Sequence, residues 1–255
     1  MTISSSDLIK VPAVTAGFWI IKILATTFGE TAGDTVSMTF NLGYLVGTAI
    51  FAVIFILLAL FQIRAKTFHP FLYWATIIAS TTVGTTMADF ATRSIGIGYP
   101  GGSLLLFSLV ALSLFVWHRA MGSISVATLH EPRAEVFYWL TITFSQTLGT
   151  ALGDWVADGP LGYLGAAAIF GSMLAVIALL YYRTSVSHVA LFWSAFILTR
   201  PLGATVGDFL DKPLAQGGLS FSRPVASAVL IIAIIALVIV LPQRAGHQTA
   251  DNIAD

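Results

Sequence analysis

The chain has 255 residues, of which 57% are hydrophobic and only 9% are charged, with twelve basic and twelve acidic side chains. A soluble domain carries roughly 25% charged residues, so this composition excludes a water-facing globular surface and predicts a protein that crosses a membrane several times. The balanced charge argues against nucleic acid as a partner. The absence of cysteine excludes disulfides, thiolate metal sites and cysteine catalysis.

Eight apolar stretches are long enough to cross a bilayer core of roughly 30 Å. In chain order they cover about residues 14–36, 43–63, 71–91, 99–118, 136–157, 161–182, 189–210 and 223–242. The sequence therefore predicts an all-α polytopic membrane protein with eight transmembrane helices.

The odd-numbered segments share one motif, a tryptophan followed ten residues later by a glycine and five residues after that by an aspartate. Its four copies are Trp19–Gly29–Asp34, Trp74–Gly84–Asp89, Trp139–Gly149–Asp154 and Trp193–Gly203–Asp208. This spacing predicts four tandem two-helix repeats, at about 14–64, 70–119, 135–183 and 189–243, in a single transmembrane domain with a tail at 244–255. Because each repeat crosses the membrane twice, we expect four parallel repeats in a pseudo-symmetric bundle.

Basic residues are distributed unequally between the two sets of connections. One set, with the two tails, holds Lys10, Arg64, Lys66, Arg119, Arg133, Arg183 and Arg244, and the other holds Arg93, Lys212 and Arg223. The positive-inside rule places both termini and the 244–255 tail in the cytoplasm. The repeat aspartates then lie toward the outer ends of the odd helices.

Small residues recur four apart at equivalent places in the repeats. The pairs are Gly29 with Gly33, Gly84 with Ala88, Gly149 with Gly153, and Gly203 with Gly207. Such pairs let helix backbones approach closely in lipid, so they predict a packing face. The tryptophans begin each odd segment, and we expect them in the aromatic belt at the membrane interface.

A polar stripe runs beside the packing face. The residues that we expect to bind a substrate or ion are Thr27, Glu30, Asp34, Thr85, Asp89, Gln146, Thr150, Asp154 and Asp208. Carboxylates inside a membrane are costly and usually mark function, so the stripe predicts the lining of a polar pathway. Its hydroxyls also suit an alternative role, bonding to carbonyls of their own helix.

Lys22 and Arg200 lie near the middle of the first and seventh segments. An unpaired cation there costs several kcal/mol, so each is expected to need a carboxylate or a cage of carbonyls. With Arg93 and Lys212 they are the predicted counter-charges of seven acids, namely Glu30, Asp34, Asp89, Asp154, Asp158, Asp208 and Asp211. Three acids then remain to hold protons or a cation.

From Trp19 to the eighth segment, the chain resembles a family of bacterial membrane proteins that is defined by four tandem repeats of unknown function. The resemblance rests on Trp19, Trp74, Trp139 and Trp193 with their glycine and aspartate partners. It implies eight helices in the bacterial inner (plasma) membrane and supplies no activity.

The leading functional hypothesis is a transporter of a hard metal ion or alkali ion, coupled to protons. Carboxylate and hydroxyl oxygens suit such ions, and the carboxylates are the candidate metal ligands. The expected partners are the lipid bilayer and a small ion or solute, with a homodimer left open. No catalytic constellation is present, so neither an enzyme nor a cofactor is expected.

Three alternatives stay open at this point. The first is a channel with an acidic ring, and the second is a transporter of an organic or anionic solute held by Arg200 and Lys22. The third is a structural protein whose polar groups only fix the register of its helices. It predicts that Asp→Asn changes alter stability without changing any flux.

Overall fold

A computed structural model of the protein describes residues 8–126, 129 and 131–247. Its eight long helices are α1 (Ala16–Asp34), α2 (Gly43–Arg64), α3 (Pro70–Asp89), α4 (Gly98–Met121), α5 (Pro132–Ala157), α6 (Gly162–Arg183), α7 (His188–Asp211) and α8 (Arg223–Val240). The prediction of eight long helices is thus confirmed, with bounds that differ by a few residues. The part of the predicted tail after residue 247 lies outside the described residues.

Local sequence explains where the helices begin. Thr15 and Ser187 cap α1 and α7 with side-chain oxygens that accept hydrogen bonds from backbone amides, and prolines occupy the first turn of α3, α5 and α8. Gly43 and Gly98 start α2 and α4 with φ angles of 77° and 71°. Only glycine adopts such angles without strain, and the tight turn sends the chain from an odd helix into an even one.

The four odd helices form a closed ring, because α1 and α5 each contact both α3 and α7. Every even helix packs chiefly on the odd helix of the next repeat: α2 on α3, α4 on α5 and α6 on α7. The last one, α8, returns to α1 and closes the cycle. The repeats are therefore interlocked, and none packs as an isolated hairpin.

The distribution of polar and apolar side chains is the reverse of that in a soluble protein. The odd helices bury threonines and carboxylates, whereas the even helices expose large apolar side chains such as Leu104 and Val240, which are 70% and 75% exposed. Five helices, α2, α4, α6, α7 and α8, are long and apolar enough to cross a membrane. The outer layer of the bundle is thus suited to lipid and the inner ring to polar chemistry.

Two short strands, which the sequence did not predict, join the two ends of the chain. Strand β1 (Leu8–Pro12) pairs antiparallel with β2 (Ala245–His247). Lys10 secures this sheet to the helices by donating hydrogen bonds to the carbonyls of Ile63 and Ala65, at 2.9 and 3.0 Å, and by an ion pair with Glu135.

The predicted interfacial position of the tryptophans is wrong for three of them. Trp74, Trp139 and Trp193 are only 2–4% exposed and belong to the main hydrophobic core. They lie on the same helix stripe as the packing glycines, and ring closure turns that stripe inward. The indole nitrogen of Trp74 donates to Gln243 Oε1 at 3.1 Å, so burial leaves its polar group bonded.

Candidate functional site

The packing glycines lie where adjacent odd helices meet. An added Cβ at Gly33 would lie 2.9 Å from Thr85, and one at Gly207 would lie 2.8 Å from Glu30. One at Gly84 would lie 2.8 Å from the carbonyl carbon of Gln146. In each of these contacts, residues at nearly the same repeat position on two adjacent odd helices face each other. The four odd helices therefore run parallel and in register.

The first glycine of the other three pairs meets a neighbouring odd helix in the same way. The nearest side chain to an added Cβ is that of Thr81 at Gly29, of Arg200 at Gly149 and of Thr26 at Gly203. Each of these neighbours stands at the position seven residues after its own repeat tryptophan. Glycine in all four copies therefore makes room for that one position of the adjacent helix.

The second member of the pairs is less uniform. An added Cβ at Gly153 on α5 would lie 3.0 Å from the Ala204 Cβ and 3.2 Å from the Pro201 carbonyl oxygen on α7. Ala88, at the same repeat position on α3, is only 1% exposed and already carries a methyl group. The ring thus accommodates a Cβ at Ala88 and crowds one at Gly33, Gly153 and Gly207.

Arg200 is the point at which all four odd helices meet. Its Nη2 atom on α7 lies 2.9 Å from Glu30 Oε2 on α1 and 2.5 Å from both Thr85 Oγ1 on α3 and Thr150 Oγ1 on α5. Its Nη1 atom donates to the Thr26 carbonyl at 3.4 Å. The arginine is completely buried. We call these five residues the central node.

One turn beyond the central node, Lys212 bridges two of the repeat aspartates. Its Nζ atom lies 2.8 Å from Asp34 Oδ2 and 2.9 Å from Asp208 Oδ1, and so joins α7 to α1. Lys212 follows the last residue of α7. Burial opposes its charge, but attraction by Asp208, Asp34 and Asp211 outweighs burial and raises the pKa of Lys212 well above its usual value.

Arg93 bridges the other two repeat aspartates in the same way. Its Nε atom lies 3.0 Å from Asp89 Oδ1 and its Nη2 atom 2.9 Å from Asp154 Oδ2, so it joins α3 to α5. Tyr44 adds a hydroxyl 3.4 Å from Nη1. Two pairs of neighbouring aspartates are thus each held by one shared cation, and we call the four carboxylates the aspartate ring.

Sequence reasoning missed the role of Arg223 as a counter-charge. Its Nε atom lies 3.3 Å from Asp211 Oδ2 and 3.7 Å from Asp34 Oδ2. The sequence places Arg223 at the start of α8, on the side that carries the aspartates, but the return of α8 to α1 is visible only in the structure.

The carboxylates converge closely enough to share an ion. Three groups each bring oxygens within 4.8 Å of one another: Glu30/Asp34/Asp89, Glu30/Asp154/Asp208 and Asp34/Asp208/Asp211. Four buried oxygens, Asp34 Oδ1, Asp89 Oδ2, Asp154 Oδ1 and Asp211 Oδ1, have neither a hydrogen bond nor an ion pair with any described residue. Buried acceptors of this kind are costly unless a ligand or proton meets them. These acids are the residues that could hold a metal ion.

A cavity of about 460 Å³ opens at the end of the bundle that carries the aspartate ring. Its lining includes the bridging cations Arg93 and Lys212 together with Tyr99, Tyr163 and Asp158. Asp158 forms no ion pair with a described cation, unlike the repeat aspartates. The cavity therefore lies beside the two cations that bridge the aspartate ring.

The opposite end of the ring is filled by aromatic side chains. Phe18, Tyr73, Tyr138 and Phe192 each precede a repeat tryptophan directly. The hydroxyls of Tyr73 and Tyr138 are 2.7 Å apart, and Phe18 lies 5.4 Å from the Trp74 ring. We call these four residues the aromatic layer. Sequence reasoning missed it, although Phe or Tyr before every repeat tryptophan was a visible signal.

Lys22 is buried between the aromatic layer and the central node, and its surroundings differ from those expected. Its Nζ atom donates to Thr199 Oγ1 at 3.3 Å and lies 4.0 Å from the centroid of the Phe196 ring. Neither a carboxylate nor a carbonyl cage surrounds it among the residues that the structure describes. Lys22 is therefore not a counter-charge of the acids, because it lies two turns before Glu30 on α1.

The remaining predicted residues divide between two roles. The Thr27 hydroxyl donates to the Ile23 carbonyl of its own helix at 3.0 Å, so Thr27 does not join the central node. Gln146 is completely buried, and neither atom of its amide has a hydrogen-bond partner among the described residues. Bonding within a helix and lining of the ring interior thus both occur, and Thr85 and Thr150 do both, because each hydroxyl also donates to a carbonyl of its own helix.

The comparisons with known proteins agree with the repeat pattern. The family model described as Repeat of Unknown Function (DUF347) matches residues 17–68, 72–123, 137–187 and 191–243. No curated protein and no solved structure matches the chain. The four matches follow the four Trp–Gly–Asp copies and cover most of the sequence. The chain therefore belongs to the family built from the Repeat of Unknown Function (DUF347).

Proposed function

We propose that the protein is an integral membrane transporter that moves a hard cation, coupled to protons, through the interior of the ring of odd helices. All eight helices cross the bacterial inner membrane in this proposal, and both termini lie in the cytoplasm. The aspartate ring and its cavity then face outward, and the aromatic layer faces the cytoplasm.

The distribution of polar residues supports the membrane part of the proposal. Five helices satisfy the length and hydropathy needed for a span. The other three, α1, α3 and α5, run parallel to α7, which is one of the five, so a bilayer crossed by α7 is crossed by them as well. Their buried threonines and carboxylates are screened from lipid by α2, α4, α6 and α8.

The excess of acids at one end of the ring is the single observation that carries the transport proposal. Six acids lie there, Glu30, Asp34, Asp89, Asp154, Asp208 and Asp211, against the four cations Arg93, Arg200, Lys212 and Arg223. Two negative charges therefore remain, which one divalent ion or two protons would neutralise. Carboxylate and hydroxyl oxygens are the ligands that hard cations prefer.

The same excess of two negative charges supports coupling to protons. An acid that loses its cation inside a low-dielectric interior is expected to take up a proton, because a bare buried carboxylate is far more costly than a neutral one. Release of the transported ion and protonation of the ring then accompany each other.

One end of the ring of odd helices is closed by the aromatic layer, and this favours a carrier over a channel. The cavity adjoins the cations that bridge the aspartate ring at one end, while the aromatic layer and the Tyr73–Tyr138 hydrogen bond fill the other. A pathway that is open at one end only requires a conformational change before an ion can leave at the other end.

The test is flux into liposomes that contain the purified protein, with Mn²⁺, Mg²⁺, Ca²⁺, Na⁺ and K⁺ in turn, with and without a pH gradient. We expect uptake of at least one ion, an increase with the gradient, and a loss of roughly tenfold or more in Glu30→Gln and Asp89→Asn. Glu131→Gln is the matched control, because it makes the same chemical change as Glu30→Gln at an exposed acid that directly precedes α5, at the end of the bundle away from the aspartate ring. Absence of flux for every ion refutes the proposal.

One observation favours a second function, transport of an anionic or organic solute. Lys22 is completely buried without an acid partner among the described residues, so a bound anion would supply the missing charge. That function predicts uptake of a carboxylate or phosphate compound that Lys22→Met abolishes and Asp89→Asn leaves unchanged. If the Lys22→Met variant still transports cations in the liposome experiment, that result argues against this second function.

A further inference from the structure

We propose that Arg200 is a tethered occupant of the cation site: its guanidinium fills the position of the transported ion, which binds by displacing it. This inference rests on the proposed function, whose site it identifies as the central node. It assigns the ligands as Glu30, Thr85, Thr150 and the Thr26 carbonyl.

The way in which Arg200 is held supports this role. An arginine that recognises a carboxylate usually presents two nitrogens side by side, one to each oxygen. Here a single nitrogen, Nη2, contacts three oxygens from three different helices, at 2.5, 2.5 and 2.9 Å. One positive centre surrounded by a carboxylate and two hydroxyls resembles the coordination of an ion by hard oxygen ligands.

The rest of the guanidinium is held weakly. Its Nε atom is buried without a hydrogen-bond partner among the described residues, and Nη1 makes only the 3.4 Å contact with the Thr26 carbonyl. A guanidinium used purely to cement helices would be expected to have its donors satisfied, because each unsatisfied buried donor is costly. The loose attachment is compatible with displacement.

Free acceptors for a displaced guanidinium lie at the same repeat position on α5, which packs against α7, and on α3. Numbered from each tryptophan, Arg200, Gln146 and Thr81 are all position 7 of their copies. Gln146 Oε1 and Thr81 Oγ1 are buried acceptors without partners among the described residues. A displaced guanidinium would find acceptors there and keep its charge between the helices.

The fourth repeat leaves space for this arrangement. At position 11 the copies hold Glu30, Thr85, Thr150 and Ala204. Three helices thus provide an oxygen, and the fourth provides only a methyl group, one turn after Arg200 on the same helix. Arg200 reaches into the position that a fourth oxygen would otherwise occupy.

The experiment measures thermal unfolding of Arg200→Gln in choline buffer and then with Na⁺, K⁺, Mg²⁺, Ca²⁺ or Mn²⁺ added singly. Because a ligand that binds only the folded state stabilises it, we expect at least one ion to raise the unfolding temperature by roughly 5 °C or more at saturation. The wild type should respond much less, since its own guanidinium competes. Where Arg200→Gln is too unstable to purify, Arg200→Met, which also removes the charge, is measured in the same way.

Two controls separate displacement from general electrostatics. Lys22→Met removes a buried amino group that does not touch the central node, so it should not create an ion response. The double variant Glu30→Gln/Arg200→Gln removes the carboxylate ligand and should abolish the response. The inference is overturned if no ion stabilises the Arg200 variants more than the wild type, or if Lys22→Met gains an equal response. Cation flux by the wild type is measured separately, so the two proposals can fail independently.

Discussion

Replacing Glu30 by Gln should be one of the most destabilising single changes in the ring, because it strands the buried charge of Arg200. The two charged atoms are 2.9 Å apart, and at an effective dielectric constant of about 20 their Coulomb attraction is about 6 kcal/mol. Thr85 and Thr150 still accept from Arg200 in the variant. We therefore expect a loss of about 3–5 kcal/mol, as for other broken buried pairs.

The double variant Glu30→Gln/Arg200→Gln provides the decisive comparison. It removes both charges together, and neutral replacement of a buried ion pair is often close to neutral for stability. If each single change costs about 3–5 kcal/mol, the double variant should recover at least about 3 kcal/mol of their sum.

Unfolding can be followed by tryptophan fluorescence in lipid bicelles under ion-free conditions, since six tryptophans report on the bundle. Asp158→Asn, an exposed acid near the ring, should change stability by no more than about 0.5 kcal/mol. Additive losses in the double variant would show that Glu30 and Arg200 do not stabilise each other, and the account of the central node would be wrong.

Three further changes test other parts of the ring by the same unfolding assay. Gly84→Ala should cost about 1–3 kcal/mol by forcing α3 away from the α5 backbone, whereas Gly171→Ala, with open space around it, should be neutral or stabilising; equal effects would contradict the close approach. Tyr73→Phe should cost about 1–3 kcal/mol because the Tyr138 hydroxyl loses its buried partner, and Tyr73→Phe/Tyr138→Phe should restore much of the loss. Lys212→Met should lower stability at neutral pH by leaving two aspartates unbridged, and unchanged stability would contradict that bridge.

The sequence predicts the helices and the repeats well, because each depends on signals within one segment. Length and apolar composition locate a helix, and the constant Trp–Gly–Asp spacing reveals the repeat. Small residues at Gly29 and Gly84 indicate a packing face without naming its partner. That partner depends on which helices become neighbours, and the interlocked order, in which α2 packs on α3 rather than only on α1, follows from closure of the whole ring.

The site is harder to predict, since its chemistry depends on contacts between distant segments. The cost of a buried cation correctly indicates that Arg200 needs an acid, and Glu30 provides it across 170 residues. The same argument gave the wrong surroundings for Lys22, because a hydroxyl and an aromatic ring took the place of a carboxylate. A cation over the face of an aromatic ring is stabilised by the ring quadrupole, and sequence spacing gives no sign of that contact.

The aspartate ring explains why a repeated scaffold must carry unequal copies. Four identical carboxylates at one level repel one another, and counter-charges are needed. The residue four positions after the repeat aspartate is Met38 in the first copy, Arg93 in the second, Asp158 in the third and Lys212 in the fourth. Only alternate copies carry a cation, and each cation serves its own aspartate and that of the next copy. A cation in every copy would cancel the charge of the aspartate ring. Without any cation, the repulsion of the four carboxylates would either prevent folding or force them to take up protons. Alternation keeps the helices together while free carboxylate oxygens remain, as the proposed ion site requires.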